Sequence, residues 1–132
     1  MRCLIVEDEF TSRRILQRIL SEFGHCDVAV DGEEACDAYR MAVLEGERYD
    51  VVFLDIMLPG IAGQEVLKKI RDIEAECAID MGAGARVIMM TSLSDAGNVM
   101  RAFRSGCESY LIKPVDRGKL IDELRKLGFA AA

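Results

Sequence analysis

The sequence predicts an α/β domain, a parallel sheet covered by helices on both faces. Two observations carry this. Short apolar runs alternate with longer amphipathic segments, strand then helix, five times over. The runs, such as Val51-Val52-Phe53-Leu54, are apolar at successive positions rather than alternating, as in strands buried on both faces. Strands joined through helices run parallel by right-handed crossovers, which distribute the helices over both sides of the sheet. With 132 residues the chain has the length of one ordinary domain, and a single domain over residues 1–132 is expected.

Cys3-Leu4-Ile5-Val6 predicts the first strand. Residues 10–23 predict a helix with Leu16, Leu20 and Phe23 on one face, Ile15 and Ile19 beside them, and Gly24 as its stop. Cys26 to Val30 predicts a weaker second strand, Asp31-Gly32 a turn, and Glu33 to Leu44 a second helix. The third strand, Val51 to Leu54, runs into Asp55. Pro59-Gly60 then breaks the chain before a helix from Gln64 to Glu76, with Val66, Leu67, Ile70 and Ile73 inward. Cys77 to Ala85 is the longest connection and reads as a surface insertion. Val87-Ile88-Met89-Met90 predicts a fourth strand closing at Thr91, and Asp95 to Arg104 a fourth helix ended by Gly106. Tyr110-Leu111-Ile112 predicts a fifth strand closing at Lys113-Pro114. Asp116 to Leu127 predicts a last helix with Leu120, Leu124 and Leu127 inward.

Composition narrows the function. Hydrophobic residues make up 51% and aromatic residues 6%, with no Trp, so the core is aliphatic. A net charge of −6 argues against a general grip on nucleic acid or on an anionic membrane surface. No apolar run approaches the length of a membrane span, and the apolar start is cut short by Glu7-Asp8-Glu9, so a cytoplasmic location is expected. Five cysteines without a Cys-x-x-Cys pair suggest free thiols rather than disulfides or zinc. His25, the only histidine, excludes multi-histidine metal sites and reads as a surface residue.

In open parallel sheets ligands bind beyond the carboxyl ends of the strands, at the switch point of the strand order. The first strand runs into Glu7-Asp8-Glu9, the third into Asp55, the fourth into Thr91-Ser92 and the fifth into Lys113. Carboxylates gathered on one rim repel one another, and a hard divalent cation such as Mg2+ relieves this. Lys113 adds a cation and Thr91 a donor for a tetrahedral anion. Together these are equipment for phosphoryl transfer, with Asp55 as a carboxylate nucleophile.

Four segments resemble the receiver domain of two-component response regulators. They are Leu4-Ile5-Val6-Glu7-Asp8-Glu9, Asp55-Ile56-Met57-Leu58-Pro59-Gly60 with Gly63, Val87-Ile88-Met89-Met90-Thr91-Ser92, and Gly106-Cys107-Glu108-Ser109-Tyr110-Leu111-Ile112-Lys113-Pro114. The resemblance covers nearly the whole chain. It implies a CheY-like, flavodoxin-like doubly wound sheet of five strands in the order 2-1-3-4-5. It also implies that Asp55 accepts a phosphoryl group from a sensor histidine kinase or phosphotransfer protein. Mg2+ would be held by Asp8, Asp55 and the Met57 carbonyl, with Glu7 acting through water. Lys113 would pair with the phosphoryl oxygens and precede a cis peptide bond to Pro114. Thr91 and Tyr110 would relay the change to the face of the fourth helix, fifth strand and last helix, where Asn98, Arg101, Tyr110 and Lys119 would meet a downstream protein or output domain. No turnover of an external substrate is implied.

The sequence departs from the family pattern at several positions. Glu7 stands where Asp is commoner, Ala62 replaces an acid or amide, and Ser92 takes a position often held by Ala. Met57 and Leu93 are both apolar where residues often tune phosphoryl lifetime, which predicts slow self-dephosphorylation. Three other readings stay open: a receiver-like scaffold that takes no phosphate, an aspartyl-nucleophile phosphatase, and a flavin carrier. Met57 argues against the phosphatase, which needs a second Asp two residues after the nucleophile. The acids after the first strand argue against a flavin phosphate.

Overall fold

The alternation of apolar runs and amphipathic segments becomes a layered structure in the computed structural model, which describes residues 1–80, 82–92 and 106–129. In chain order the elements are β1 (Arg2–Val6), α1 (Phe10–Leu20), β2 (His25–Ala29), α2 (Gly32–Leu44), β3 (Val51–Asp55), α3 (Gly63–Glu76), β4 (Arg86–Thr91), β5 (Ser109–Ile112) and α4 (Arg117–Lys126). The strands form one parallel sheet in the order β2-β1-β3-β4-β5, as the resemblance implied. The expected helix at Asp95 to Arg104, with Leu93, Asn98 and Arg101, lies outside the described residues.

Strand periodicity divides the core in two. Leu4, Val6, Val52, Leu54, Val87 and Met89 point to one side and pack against Tyr39 of α2 and Val66, Leu67 and Ile70 of α3. Their alternates Cys3, Ile5, Val51, Phe53, Ile88 and Met90 pack against Leu16 and Leu20 of α1 and Leu120 and Leu124 of α4. Successive apolar residues were therefore the correct signature of a sheet covered twice. All five cysteines are free thiols, and Cys3 and Cys107 are buried.

Local details differ from the sequence expectations where tertiary contacts win. The first helix ends at Leu20 rather than at residue 23. Gly24 is not its stop: a Cβ there would lie 1.9 Å from the Met1 carbonyl oxygen, so the position serves the close approach of the chain's first residue. Ile15 is 47% exposed, outside the apolar stripe. Asp31 caps α2 by accepting from the Glu34 amide at 2.8 Å. The segment after α3 is a connection, not a longer helix, and its first turn includes Ala78 at φ 59.

A polar cluster around the buried Glu74 ties this connection down. Glu74 accepts from the Tyr39 hydroxyl and from the Ala85 amide. Arg71 donates to Glu74, to the carbonyls of Ala85 and Gly106, and to Glu108, whose carboxylate in turn accepts from the Val87 amide. The entries of β4 and β5 are thereby pinned to α3, at the end of the sheet away from Asp55.

Gly63 positions the other end. A Cβ at Gly63 would lie 2.3 Å from the Asp55 carbonyl oxygen and 2.7 Å from the Ile56 Cα, both backbone atoms that cannot turn aside. Gly63→Ala is therefore expected to cost about 1–3 kcal/mol. Gly60→Ala meets nothing within 4 Å and pays only for its φ of 76°, about 1 kcal/mol. Urea unfolding midpoints read the difference, and equal midpoints would refute the contact.

Candidate functional site

The strand order makes β1 and β3 neighbours while their following helices pack on opposite faces, so the loops after them diverge and open a crevice. Glu7, Asp8 and Asp55 meet there. One carboxylate oxygen from each lies within 4.8 Å of the other two.

The three acids have different surroundings. Glu7 follows β1, its amide donating to the Ala29 carbonyl at 3.0 Å, and it is fully buried. Asp55 ends β3 and is 4% exposed; its Oδ1 accepts from the Met57 amide at 2.9 Å. Asp8 is exposed. Lys113 Nζ joins the two buried acids, 2.6 Å from Glu7 Oε1 and 2.7 Å from Asp55 Oδ2. Burial pushes the Glu7 carboxyl up to about 7, and Asp55 pushes the same way against the pull of Lys113. Burial works against the Lys113 ammonium, but its hydrogen bonds to Asp55 and Glu7 outweigh that and hold its pKa above the usual lysine value.

Lys113 is delivered by the end of β5. Its amide donates to the Thr91 carbonyl at 2.7 Å, tying the ends of β4 and β5 together, and its peptide bond to Pro114 is cis. Thr91 is 2% exposed, and its hydroxyl donates to the Ser92 carbonyl at 3.1 Å, the role of a strand-end hydroxyl satisfying a backbone group. Tyr110 is 39% exposed on β5, and Lys119 is exposed on α4. Met57 holds its side chain at the rim, 64% exposed. A cleft of about 300 Å³ adjoins Glu7 and Lys113, lined also by Ser12, Ile15, Pro114 and Val115.

Of the run Glu7-Asp8-Glu9, only the first two belong to the acid cluster. Glu9 caps α1 instead, its carboxylate accepting from the amides of Thr11 and Ser12 at 3.2 and 2.7 Å. An acid directly before an amphipathic run is the signal for this, although Glu is not a favoured cap residue. Arg13 went unnoticed in the sequence, and its guanidinium reaches back over this loop.

Three carboxylates against one ammonium leave an excess of negative charge on hard oxygen donors, a set that fits Mg2+. No helix among the described residues is long and apolar enough to cross a membrane.

Comparison with known proteins identifies the family. Residues 3–125 match the response regulator receiver domain family. The transcriptional regulatory protein TcrA of Mycobacterium tuberculosis is 34% identical over 128 residues, covering 96% of this chain and 46% of TcrA. The osmosensing histidine protein kinase SLN1 of Saccharomyces cerevisiae is 30% identical over 122 residues, covering 91% of this chain and 9% of SLN1. The chain thus spans less than half the length of these curated relatives. Among solved structures, the CheX-CheY-BeF3-Mg2+ complex of Borrelia burgdorferi superposes with a TM-score of 0.81 at 29% identity, covering 96% of this chain and 88% of that one. The matched family, the strand order and the convergence of Glu7, Asp8, Asp55 and Lys113 agree, and the chain belongs to the response regulator receiver domains of two-component signalling.

Proposed function

We propose that Asp55 is the phosphoacceptor of a signalling switch, charged by a sensor histidine kinase or a phosphotransfer protein. The observation that carries this is the engagement of both Asp55 oxygens, one by the Met57 amide at 2.9 Å and the other by Lys113 at 2.7 Å, beside two further acids. This fixes the direction of a buried carboxylate and sets a cation beside it, as a positioned nucleophile requires.

The step is a displacement at phosphorus. A carboxylate oxygen of Asp55 forms the new P–O bond, the P–N bond of the donor phosphohistidine breaks, and its electron pair leaves with the imidazole. Asp8, Asp55 and the Met57 carbonyl would hold Mg2+, with Glu7 acting through water; bound there, the ion neutralises phosphoryl charge. Lys113 turns from Asp55 to the phosphoryl oxygens. The Thr91 hydroxyl exchanges the Ser92 carbonyl for a phosphoryl oxygen, and Tyr110 moves inward from its exposed position. The added charge biases an equilibrium between these two arrangements. The face that includes β5 and α4, with Tyr110 and Lys119, then meets a downstream protein or output domain.

On this reading the chain is a single cytoplasmic receiver domain over residues 1–132 that turns over no external substrate. The experiment is incubation with acetyl phosphate and Mg2+, followed by intact mass. One added phosphoryl group, lost in the Asp55→Asn variant, is expected; an unmodified native protein refutes the proposal.

The acyl phosphate is expected to be long-lived. The exposed Met57 side chain cannot orient an attacking water by hydrogen bonding, and Leu93 is equally apolar. Met57→Asn combined with Leu93→Glu should shorten the lifetime about 10-fold. An unchanged rate of label loss in Mg2+ buffer would dismiss this account.

A further inference from the structure

We propose that Arg13 is a positioning residue for the metal-binding loop after β1, clamping the backbone of Glu7 and Asp8 so that their carboxylates face Asp55. The inference rests on the phosphoacceptor reading above and assigns a role to a residue outside the acid–lysine cluster.

Arg13 sits in the first turn of α1, four residues after the cap Glu9. That is a poor place for a cation in a helix, because the amino end carries partial positive charge. No acidic residue in this first turn compensates it. What compensates it is the loop. Arg13 Nη1 donates to the carbonyl of Glu7 at 3.1 Å and to the carbonyl of Asp8 at 3.2 Å. The side chain is only partly exposed, and its guanidinium also lies 5.5 Å from the centre of the Phe10 ring, which fixes its direction.

The loop needs such a clamp. Glu7 is held by the strand and by Lys113. Asp8 is exposed, and no ion pair to its carboxylate occurs among the described residues. Its placement within 4.8 Å of the other two acids therefore depends on its backbone. The chain before it is held by the Glu7 amide on the Ala29 carbonyl, and the Asp8 carbonyl itself is held by Arg13. The carboxylate of Glu9 cannot substitute, because it is spent on the amides of Thr11 and Ser12. The guanidinium also adds a second positive charge beside the cluster without occupying a carboxylate oxygen, so ligand atoms stay available to a cation.

The neighbouring Arg14 supplies the control. It is exposed, approaches the same Phe10 ring at 5.9 Å, and makes no hydrogen bond to the loop carbonyls among the described residues. The test is Mg2+ titration by calorimetry of the whole chain, alongside urea unfolding in chelator. Arg13→Met should weaken Mg2+ binding about 10-fold. Arg13→Lys should recover part of the loss, and Arg14→Met should bind as the native protein does. Should Arg13→Met fail to fold, Arg13→Gln, which keeps a neutral donor, carries the same test and should show the weakened binding. Native Mg2+ affinity in a folded Arg13→Met or Arg13→Gln protein overturns the inference alone. A native chain that binds no Mg2+ overturns the phosphoacceptor reading as well.

Discussion

Asp55→Asn is expected to leave a folded protein that takes up no phosphoryl group from acetyl phosphate, at any Mg2+ concentration. The amide has nearly the same shape as the carboxylate and can still accept from the Met57 amide. What it lacks is the anionic oxygen that attacks phosphorus, so uptake should fall to background. The fold should survive because the substitution removes one of two buried acids that share a single ammonium. With Asp55 neutral, one of the upward pushes on Glu7 disappears. Native-like phosphoryl uptake in Asp55→Asn would place the acceptor on another residue.

Lys113→Met should produce the second large effect, in both chemistry and stability. It removes a cation 2.7 Å from the acceptor carboxylate, and phosphoryl uptake should slow about 100-fold. It also leaves Glu7, fully buried, and Asp55 without their shared counter-charge. A stranded buried charge is costly, but proton uptake by Glu7 relieves part of it, so the expected loss near neutral pH is about 1–3 kcal/mol.

The sign of the pH dependence follows from the two shifts. Glu7 in the folded protein titrates at about 7 against 4.5 for an unperturbed Glu, so folding takes up a proton between those values. Its contribution to stability is full below 4.5 and is lost as pH rises through about 7. Lys113 has its pKa raised above 10.5, so its contribution is full below 10.5 and is lost at higher pH. The ion pair therefore matters most between about pH 7 and 10.5. The deficit of Lys113→Met should be small at about pH 5 and grow towards about pH 9. Urea unfolding in chelator measures it, and a deficit independent of pH would show that Lys113 contributes packing rather than charge.

The fold was largely legible because the sheet is buried twice. Cys3 to Val6 and Val51 to Leu54 are apolar at consecutive positions, and the structure sends alternate members of each run to opposite cores. The helix stripes were legible for the same reason, as Val66, Leu67, Ile70 and Ile73 of α3 are all buried. Ends of elements were less legible. Gly24 reads as a helix stop, yet its lack of a side chain serves a contact with Met1, a partner that no local pattern reveals.

The partly buried cluster of Arg71, Glu74 and Glu108 was illegible as well. Charged residues on a helix, such as Arg71 and Glu74, or in a loop, such as Glu108, normally face water. Only the packing of α3 against the entries of β4 and β5 turns these inward.

By itself the sequence determined the five parallel strands and the residue types at their ends: acids just after β1 and at the end of β3, a hydroxyl at the end of β4 and a lysine just after β5. Tertiary structure decided how these groups divide the work. Glu7, Asp8 and Glu9 are three adjacent acids, and residue type alone does not say which of them is buried and which caps the helix. In the fold one is buried on Lys113, one stands at the rim and one caps α1. The physical reason is direction. A strand turns successive side chains to opposite sides, and the helix that follows captures whichever acid reaches its free amides, so three neighbours in the chain enter three different environments.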